Sequence, residues 1–273
     1  MTRFLIDTVS VYCLKSSVYR RSHQLCALMI MRWQNRPTRY LPANSRSRPA
    51  VRSATAITGE EADKLEVVVE RMGKILKYVD SQFGNPRGVI GEVICFFMNR
   101  INKKMYQSVV TRISKEDKIL DIGYGNGYLI EKMYKKSGTS IAGIDISDDM
   151  RKAATKRNHF GVDKGDIKLY IGDCCDLQFD SNFFDIVTTV NTIYFWNDTL
   201  QGLKEIQRVL NDGGLFYNAV YSKEYFAKTP YTEAIYKIFD QSEYIEFGKK
   251  AGFSEATIVD IIKGTNYLVI YKK

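Results

Sequence analysis

Apolar and polar positions follow two regimes along the 273-residue chain, with the break near residue 60. From Glu60 onward the pattern is regular. Residues 60–80 and 88–112 carry apolar side chains at helical spacing, with Val89, Val93, Phe96, Phe97, Ile101 and Met105 on one side. Phe83-Gly84-Asn85-Pro86-Arg87-Gly88 supplies the turn between these helices. From Lys118 short apolar runs and helical patterns alternate. Strands are predicted at Ile119–Ile122, Ile141–Ile146, Ile167–Ile171, Phe184–Val190 and Leu215–Val220. Helices are predicted at Asn126–Lys136, 148–159, 198–210 and about 231–251. Asn211-Asp212-Gly213-Gly214 reads as a turn before the fifth strand. Two last strands, Ala256–Ile262 and Tyr267–Tyr271, flank a turn at Gly264 to Asn266 and look antiparallel. Repeated strand–helix units predict a doubly wound α/β domain over 113–273, its parallel sheet covered on both faces, with 60–112 as a helical cap segment.

The first 59 residues break the pattern in composition as well. They hold nine Arg, one Lys and a single acid, Asp7, and so carry the whole net charge of +9. They contain only one of the 19 glycines, Gly59, but three of the five prolines. An Arg-rich, Ser-rich, acid-poor segment suits a mitochondrial transit peptide. A secretory signal is disfavoured, because no small-residue cleavage site follows Met29-Ile30-Met31. A third reading is a non-native extension, disordered, with Met72 as the start. The apolar run Leu25–Met31 has seven residues, far short of the ~20 that a membrane helix needs.

The remaining residues, 60–273, are balanced at 30 basic and 30 acidic side chains, which disfavours a partner read through its phosphate backbone. Hydrophobic residues make up 45% of the chain, enough for a substantial core. The five cysteines (Cys13, Cys26, Cys95, Cys174, Cys175) are odd in number and lack C-x-x-C spacing. They read as reduced thiols of a cytoplasmic protein, with no metal site implied.

Candidate chemistry gathers at the strand ends. Asp121-Ile122-Gly123-Tyr124-Gly125-Asn126-Gly127 follows a predicted strand and opens a helix, where glycines let backbone approach a ligand closely. The spacing is G-x-G-x-G, with Tyr128 where a dinucleotide fingerprint has its third glycine, so NAD and FAD are disfavoured. No G-x-x-x-x-G-K-[ST] is present. Asp121 suits a cationic group of a ligand. Asp145, at the end of the second strand, suits ribose hydroxyls, and Ser147 after it suits a helix cap. Asp173, after the third, suits an adenine amino group.

This ordered set, with Phe184-Asp185-Ile186-Val187 and Val209-Leu210-Asn211-Asp212-Gly213-Gly214, resembles the class I S-adenosylmethionine-dependent methyltransferases. The closest resemblance is to the type 11 group that includes ubiquinone/menaquinone C-methyltransferases, over about residues 115–273. It implies a Rossmann-like seven-stranded sheet with the last strand inserted antiparallel, and S-adenosyl-L-methionine as cofactor. It further implies that Asp121, Gly123, Gly125 and Gly127 hold the methionine end and Asp145 with Ile146 the ribose side. Asp173 and the backbone at Cys174 would contact adenine, and Asn191 would lie beside the sulfonium. Tyr124 departs from the small residue or Cys of many relatives, at a position where a side chain can point outward.

Methyl transfer from a sulfonium needs positioning and exclusion of water more than a strong base. His159 is expected on the surface at a helix end. The run Ile193-Tyr194-Phe195-Trp196 suits either core or acceptor wall, and Tyr217 in the fifth strand with Tyr221 and Tyr225 beyond it are further candidates. Tyr194 and Tyr221 are the candidate catalytic residues. Phe83, Asn85–Gly88 and Met98 are expected to face Tyr221, Tyr225, Phe226 and Tyr231 as an apolar lid. Such a mouth points to a small organic acceptor methylated on O, N or C. Asn191-Thr192-Ile193-Tyr194 lacks the Pro-Pro of an N-P-P-Y loop, which disfavours nucleobase N-methylation. Adjacent Cys174 and Cys175 would also suit a thiol or metalloid acceptor. Two alternatives stay open: a tRNA or protein methyltransferase reading its substrate through the leader or residues 60–112, and a cofactor-binding protein without catalysis.

Overall fold

The computed structural model describes residues 98–227 and 237–273. The leader, the expected helix over 60–80, the turn at Phe83–Gly88 and Tyr231 lie outside the described residues. So do residues 88–97 of the expected helix over 88–112, whereas residues 98–101 and 103–110 of it are helical as expected.

In chain order the elements are α1 (Lys103–Val110), β1 (Ile119–Ile122), α2 (Tyr128–Ser137), β2 (Ile141–Asp145), α3 (Asp148–Arg157), α4 (His159–Asp163), β3 (Ile167–Ile171) and β4 (Phe184–Val190). There follow a 3-10 turn (Ile193–Phe195), α5 (Thr199–Val209), β5 (Leu210–Tyr221), α6 (Lys223–Phe226), α7 (Gln241–Ala251), β6 (Glu255–Ile262) and β7 (Asn266–Lys272). The strands form one seven-stranded sheet in the order β3-β2-β1-β4-β5-β7-β6. Pairing is parallel from β3 to β5. Strand β7 runs antiparallel to both β5 and β6, as the Rossmann-like reading requires. The order reverses at β1, between β2 and β4, and ligand crevices of open α/β sheets form at such a point.

Strand alternation divides the core between the two faces. Leu120, Phe216, Val220, Tyr267 and Tyr271 pack with Leu203 and Ile206 of α5 and Tyr244 of α7. Ile119, Tyr217, Ala219 and Leu268 pack on the other face with Met105 and Val109 of α1 and Ile130 and Met133 of α2. Local chemistry ends the helices where the sequence provides a cap. Ser147 and Asp198 each accept a backbone N–H in the first turn of α3 and α5. Asp240 and Glu243 form a reciprocal capping box on α7.

That box corrects one expected boundary. The helix begins at Gln241, and Lys237–Phe239 before the cap are not helical, because Asp240 captures the first N–H groups in an extended conformation. The expected helix over 148–159 ends at Arg157, and His159 opens the separate short helix α4, exposed as expected. The expected turn at Asn211–Gly214 lies inside β5. Leu210 pairs with Phe184 and Leu215 with Ile186, so the turn residues bulge from a strand that continues through them.

Candidate functional site

A cavity of about 230 Å³ opens at the carboxyl ends of β1, β2 and β4. The glycine loop forms its floor. Gly123, Gly125 and Gly127 all adopt left-handed backbone, at φ of +68°, +52° and +73°. A Cβ on Gly123 would meet the Thr192 side chain at 2.4 Å, whereas one on Gly125 would meet nothing within 4 Å. The first glycine is therefore required by packing against the β4 loop, and the second by conformation alone, on a stretch that faces the cavity. Asn158 steadies the loop from α3 by donating to the Gly127 carbonyl at 3.1 Å.

Three carboxylates stand around this loop. Asp121 is buried and accepts a hydrogen bond from the Thr188 hydroxyl at 2.7 Å. Burial pushes its pKa up to about 7, against the pull of that hydrogen bond, and neighbouring Asp145 adds to the rise. Asp145 accepts the Gly125 N–H at 2.8 Å and the Ser147 N–H at 2.9 Å, one on each oxygen. Burial raises its pKa, and those backbone donors oppose the rise. Asp173 accepts from the Cys175 N–H at 2.9 Å and the Asn197 amide at 3.2 Å, and backbone donation holds its pKa below the ordinary carboxylate value. Ile146 lines the cavity with 59% of its surface exposed, an apolar face left open beside Asp145.

The expected site residues Asp121, Gly123, Gly125, Asp145, Ile146, Asp173, Cys174 and Asn191 all line this one cavity, while Gly127 sits behind it as the residue before α2. Asn191 is one of two non-glycine residues with positive φ among the described residues, at +59°, a conformation that Asn tolerates and that turns its side chain at the end of β4.

Other expectations separate. Tyr124 points inward: it is buried, and its hydroxyl donates to the Tyr170 carbonyl at 3.1 Å. The room comes from Gly143, where a Cβ would meet the Tyr124 ring at 2.7 Å. Of the aromatic run after β4, Phe195 and Trp196 line the cavity and Ile193 goes to the core. Tyr194 and Tyr221 stand behind the wall. Tyr194 is only 2% exposed, and its hydroxyl accepts the Tyr221 N–H at 2.6 Å. Tyr221 stacks on Tyr225, with ring centroids 4.3 Å apart. Tyr217 packs on the α1 face of the sheet. Of the expected lid, Met98 lines the cavity, whereas Tyr221, Tyr225 and Phe226 do not. Polar residues that sequence reasoning passed over, Asn99, Asn102 and Tyr106, complete that wall. Asn is common at helix ends, and only the tertiary position distinguishes these from caps. Asn99 bridges two parts of the site: it donates to Asn126 of the glycine loop at 3.2 Å and accepts from the Tyr106 hydroxyl at 3.3 Å.

A sheet of this order with such a crevice defines a nucleotide-type α/β binding domain. Comparison with known proteins narrows the class. A family profile described as a methyltransferase domain matches residues 120–218. An uncharacterised methyltransferase of Bacillus subtilis, YdaC, is 30% identical over 166 residues, covering 60% of this chain and 87% of its own. The demethylmenaquinone methyltransferase of Chlorobaculum tepidum is 28% identical over 186 residues, 58% of this chain and 74% of its own. The fold is also that of an S-adenosylmethionine-dependent methyltransferase solved from Aquifex aeolicus, with TM-score 0.55 and 17% identity over 64% of this chain and 92% of that one. The chain belongs to this methyltransferase family. It is an S-adenosylmethionine-dependent methyltransferase.

The cavity fits that cofactor on its donor set. Carboxylates and carboxamide oxygens dominate the polar lining, and among the described residues no Lys, Arg or His lines it. Such a lining suits a cationic ligand rich in N–H and O–H donors and repels a polyphosphate. No helix among the described residues is long and apolar enough to cross a membrane.

Proposed function

We propose that this enzyme methylates a small, uncharged organic acceptor of hydroquinone type. In this reading Asp121 and the glycine loop hold the methionine end of the cofactor, Asp145 accepts the ribose hydroxyls, Asp173 accepts the adenine amino group, and Ile146 packs on the base. When bound, the cofactor supplies an electrophilic methyl group on a sulfonium, open to in-line attack.

The observation that carries the acceptor class is the cavity lining other than the carboxylates and the glycine loop. It includes the aromatic and carboxamide side chains of Tyr106, Phe195, Trp196, Asn99, Asn102 and Asn191, without a cation among the described residues. An anionic acceptor would lack a counter-charge there. A hydroquinone presents a flat apolar ring to the aromatics and hydroxyls to the amides, and its own oxygens make it nucleophilic, so no histidine base is required. Curated relatives include demethylmenaquinone methyltransferases and a 2-methyl-6-phytyl-1,4-hydroquinone methyltransferase, which agrees with this class.

The test is calorimetric titration with S-adenosylmethionine, followed by turnover of naphthohydroquinone and of phosphoethanolamine under reducing conditions. Methylation of the hydroquinone and not of the phosphate ester is the expected result. The reverse preference overturns the proposal.

A further inference from the structure

Asn102 lies between helical residues 98–101 and α1, with its N–H bonded to the Met98 carbonyl and its carbonyl to the Tyr106 N–H. Its side chain caps no helical N–H. Its Oδ1 accepts instead from the Tyr221 hydroxyl at 2.8 Å, from a residue 119 positions further along the chain. The donor is itself firmly held: the Tyr221 ring stacks on Tyr225 and its N–H is bound by the buried Tyr194 hydroxyl. With Oδ1 committed, the amide orientation is fixed and Nδ2 is left as a donor. Asn102 is buried yet lines the cavity, and its Nδ2 has no protein partner among the described residues. A donor held at the cavity wall in this way is placed to meet a ligand oxygen. Asn191, on the β4 side, repeats the arrangement: its Oδ1 lies 3.4 Å from the Tyr194 hydroxyl, and among the described residues Nδ2 reaches only the weakly accepting Met105 sulfur at 3.6 Å.

We propose that Asn102 is the specificity-determining residue for the acceptor, donating from Nδ2 to an acceptor hydroxyl oxygen, and that Tyr221 is the positioning residue that aims it. This assignment rests on the hydroquinone reading above. It selects acceptors with an oxygen lone pair beside the methylated atom and rejects ammonium groups, which offer only donors. The two tyrosines beyond the cavity wall then act through the asparagines they orient.

The experiment is a double-mutant cycle on the full chain, with naphthohydroquinone as acceptor and S-adenosylmethionine affinity measured separately. Asn102→Ala is expected to raise the hydroquinone KM ~10-fold or more, with kcat and cofactor affinity nearly unchanged. Asn102→Asp, isosteric but without the amide donor, is expected to be at least as impaired, which loss of packing alone would not produce. Tyr221→Phe raises KM by a smaller factor and adds nothing in the Asn102→Ala background, because its effect passes through that amide. An unchanged KM in Asn102→Ala, a fully active Asn102→Asp, or effects that multiply independently each overturn the assignment while leaving the hydroquinone reading intact. Wild-type protein that binds S-adenosylmethionine but leaves the hydroquinone unmethylated overturns both.

Discussion

Asp121 links the site to pH. Its pKa of about 7 in the folded protein, against 3.8 for an ordinary aspartate, means that near neutrality the carboxyl is divided between neutral and ionised forms. The sign for stability follows from proton binding. Between those values the folded state holds a proton that the unfolded state has lost, so stability contributed by neutral Asp121 is complete below 3.8 and is lost as pH rises to about 7. Asp121→Asn should therefore gain thermal stability relative to the wild type as pH is raised from about 4 to about 8 in the absence of cofactor, and parallel melting curves would refute it. Binding runs the other way. A cationic ligand group favours ionised Asp121, so cofactor affinity is expected to rise by up to ~10-fold per pH unit below pH 7 and to level off above it. Asp121→Asn should flatten that profile in calorimetry. Asp145 is a separate case, since its two oxygens already hold the Gly125 and Ser147 N–H groups. Asp145→Ala removes both the loop brace and the acceptor proposed for ribose, and a ~10–100-fold weaker Kd for S-adenosylmethionine is expected.

The glycine loop can be dissected one position at a time, because its residues are constrained differently. Gly125→Ala meets no atom and bears only the left-handed backbone cost, about 1–2 kcal/mol. Gly123→Ala bears that cost and also drives its Cβ into Thr192, whose hydroxyl is engaged by Thr189. Chemical denaturation should show the Gly123 variant losing clearly more stability than the Gly125 variant, and equal losses would mean the β4 loop yields freely. The loop was legible in the sequence because glycine spacing between an apolar run and a helix has few other uses. The strands were legible for a related reason: central parallel strands are buried on both faces, so Ile119–Ile122 is apolar but for Asp121, and Phe184–Val190 is an apolar, β-branched run broken only by Asp185 and two threonines. Positions decided by distant partners were not. Tyr124 turns inward because Gly143, on the neighbouring strand, leaves it room. Asn102 escapes notice because its partner Tyr221 belongs to β5. The start of α7 escaped because apolar periodicity continues upstream of Asp240, while the cap that overrides it is a local hydrogen-bond geometry.

Charge divides the protein as sharply as the apolar pattern does. Residues 60–273 are neutral and the first 59 carry +9, so non-specific attraction for nucleic acid is expected of the leader. A polyanion bound through such a segment gives an association constant that falls steeply with salt, in proportion to the phosphates neutralised. The cavity that holds the proposed chemistry draws all its described lining from residue 98 onward. A chain beginning at Met72 is therefore expected to fold, to melt within a few degrees of the full protein, and to keep its S-adenosylmethionine affinity. It should also lose any salt-dependent binding to mixed tRNA that the full chain shows, without loss of hydroquinone turnover. Gel-shift titrations at low and moderate salt, run beside the methyl-transfer assay, separate the two properties. If the shortened chain instead loses turnover together with tRNA binding while still binding cofactor, the leader is a substrate-recognition element and the acceptor is a nucleic acid. Failure to fold would show that the leader, or residues 60–71, packs on the domain.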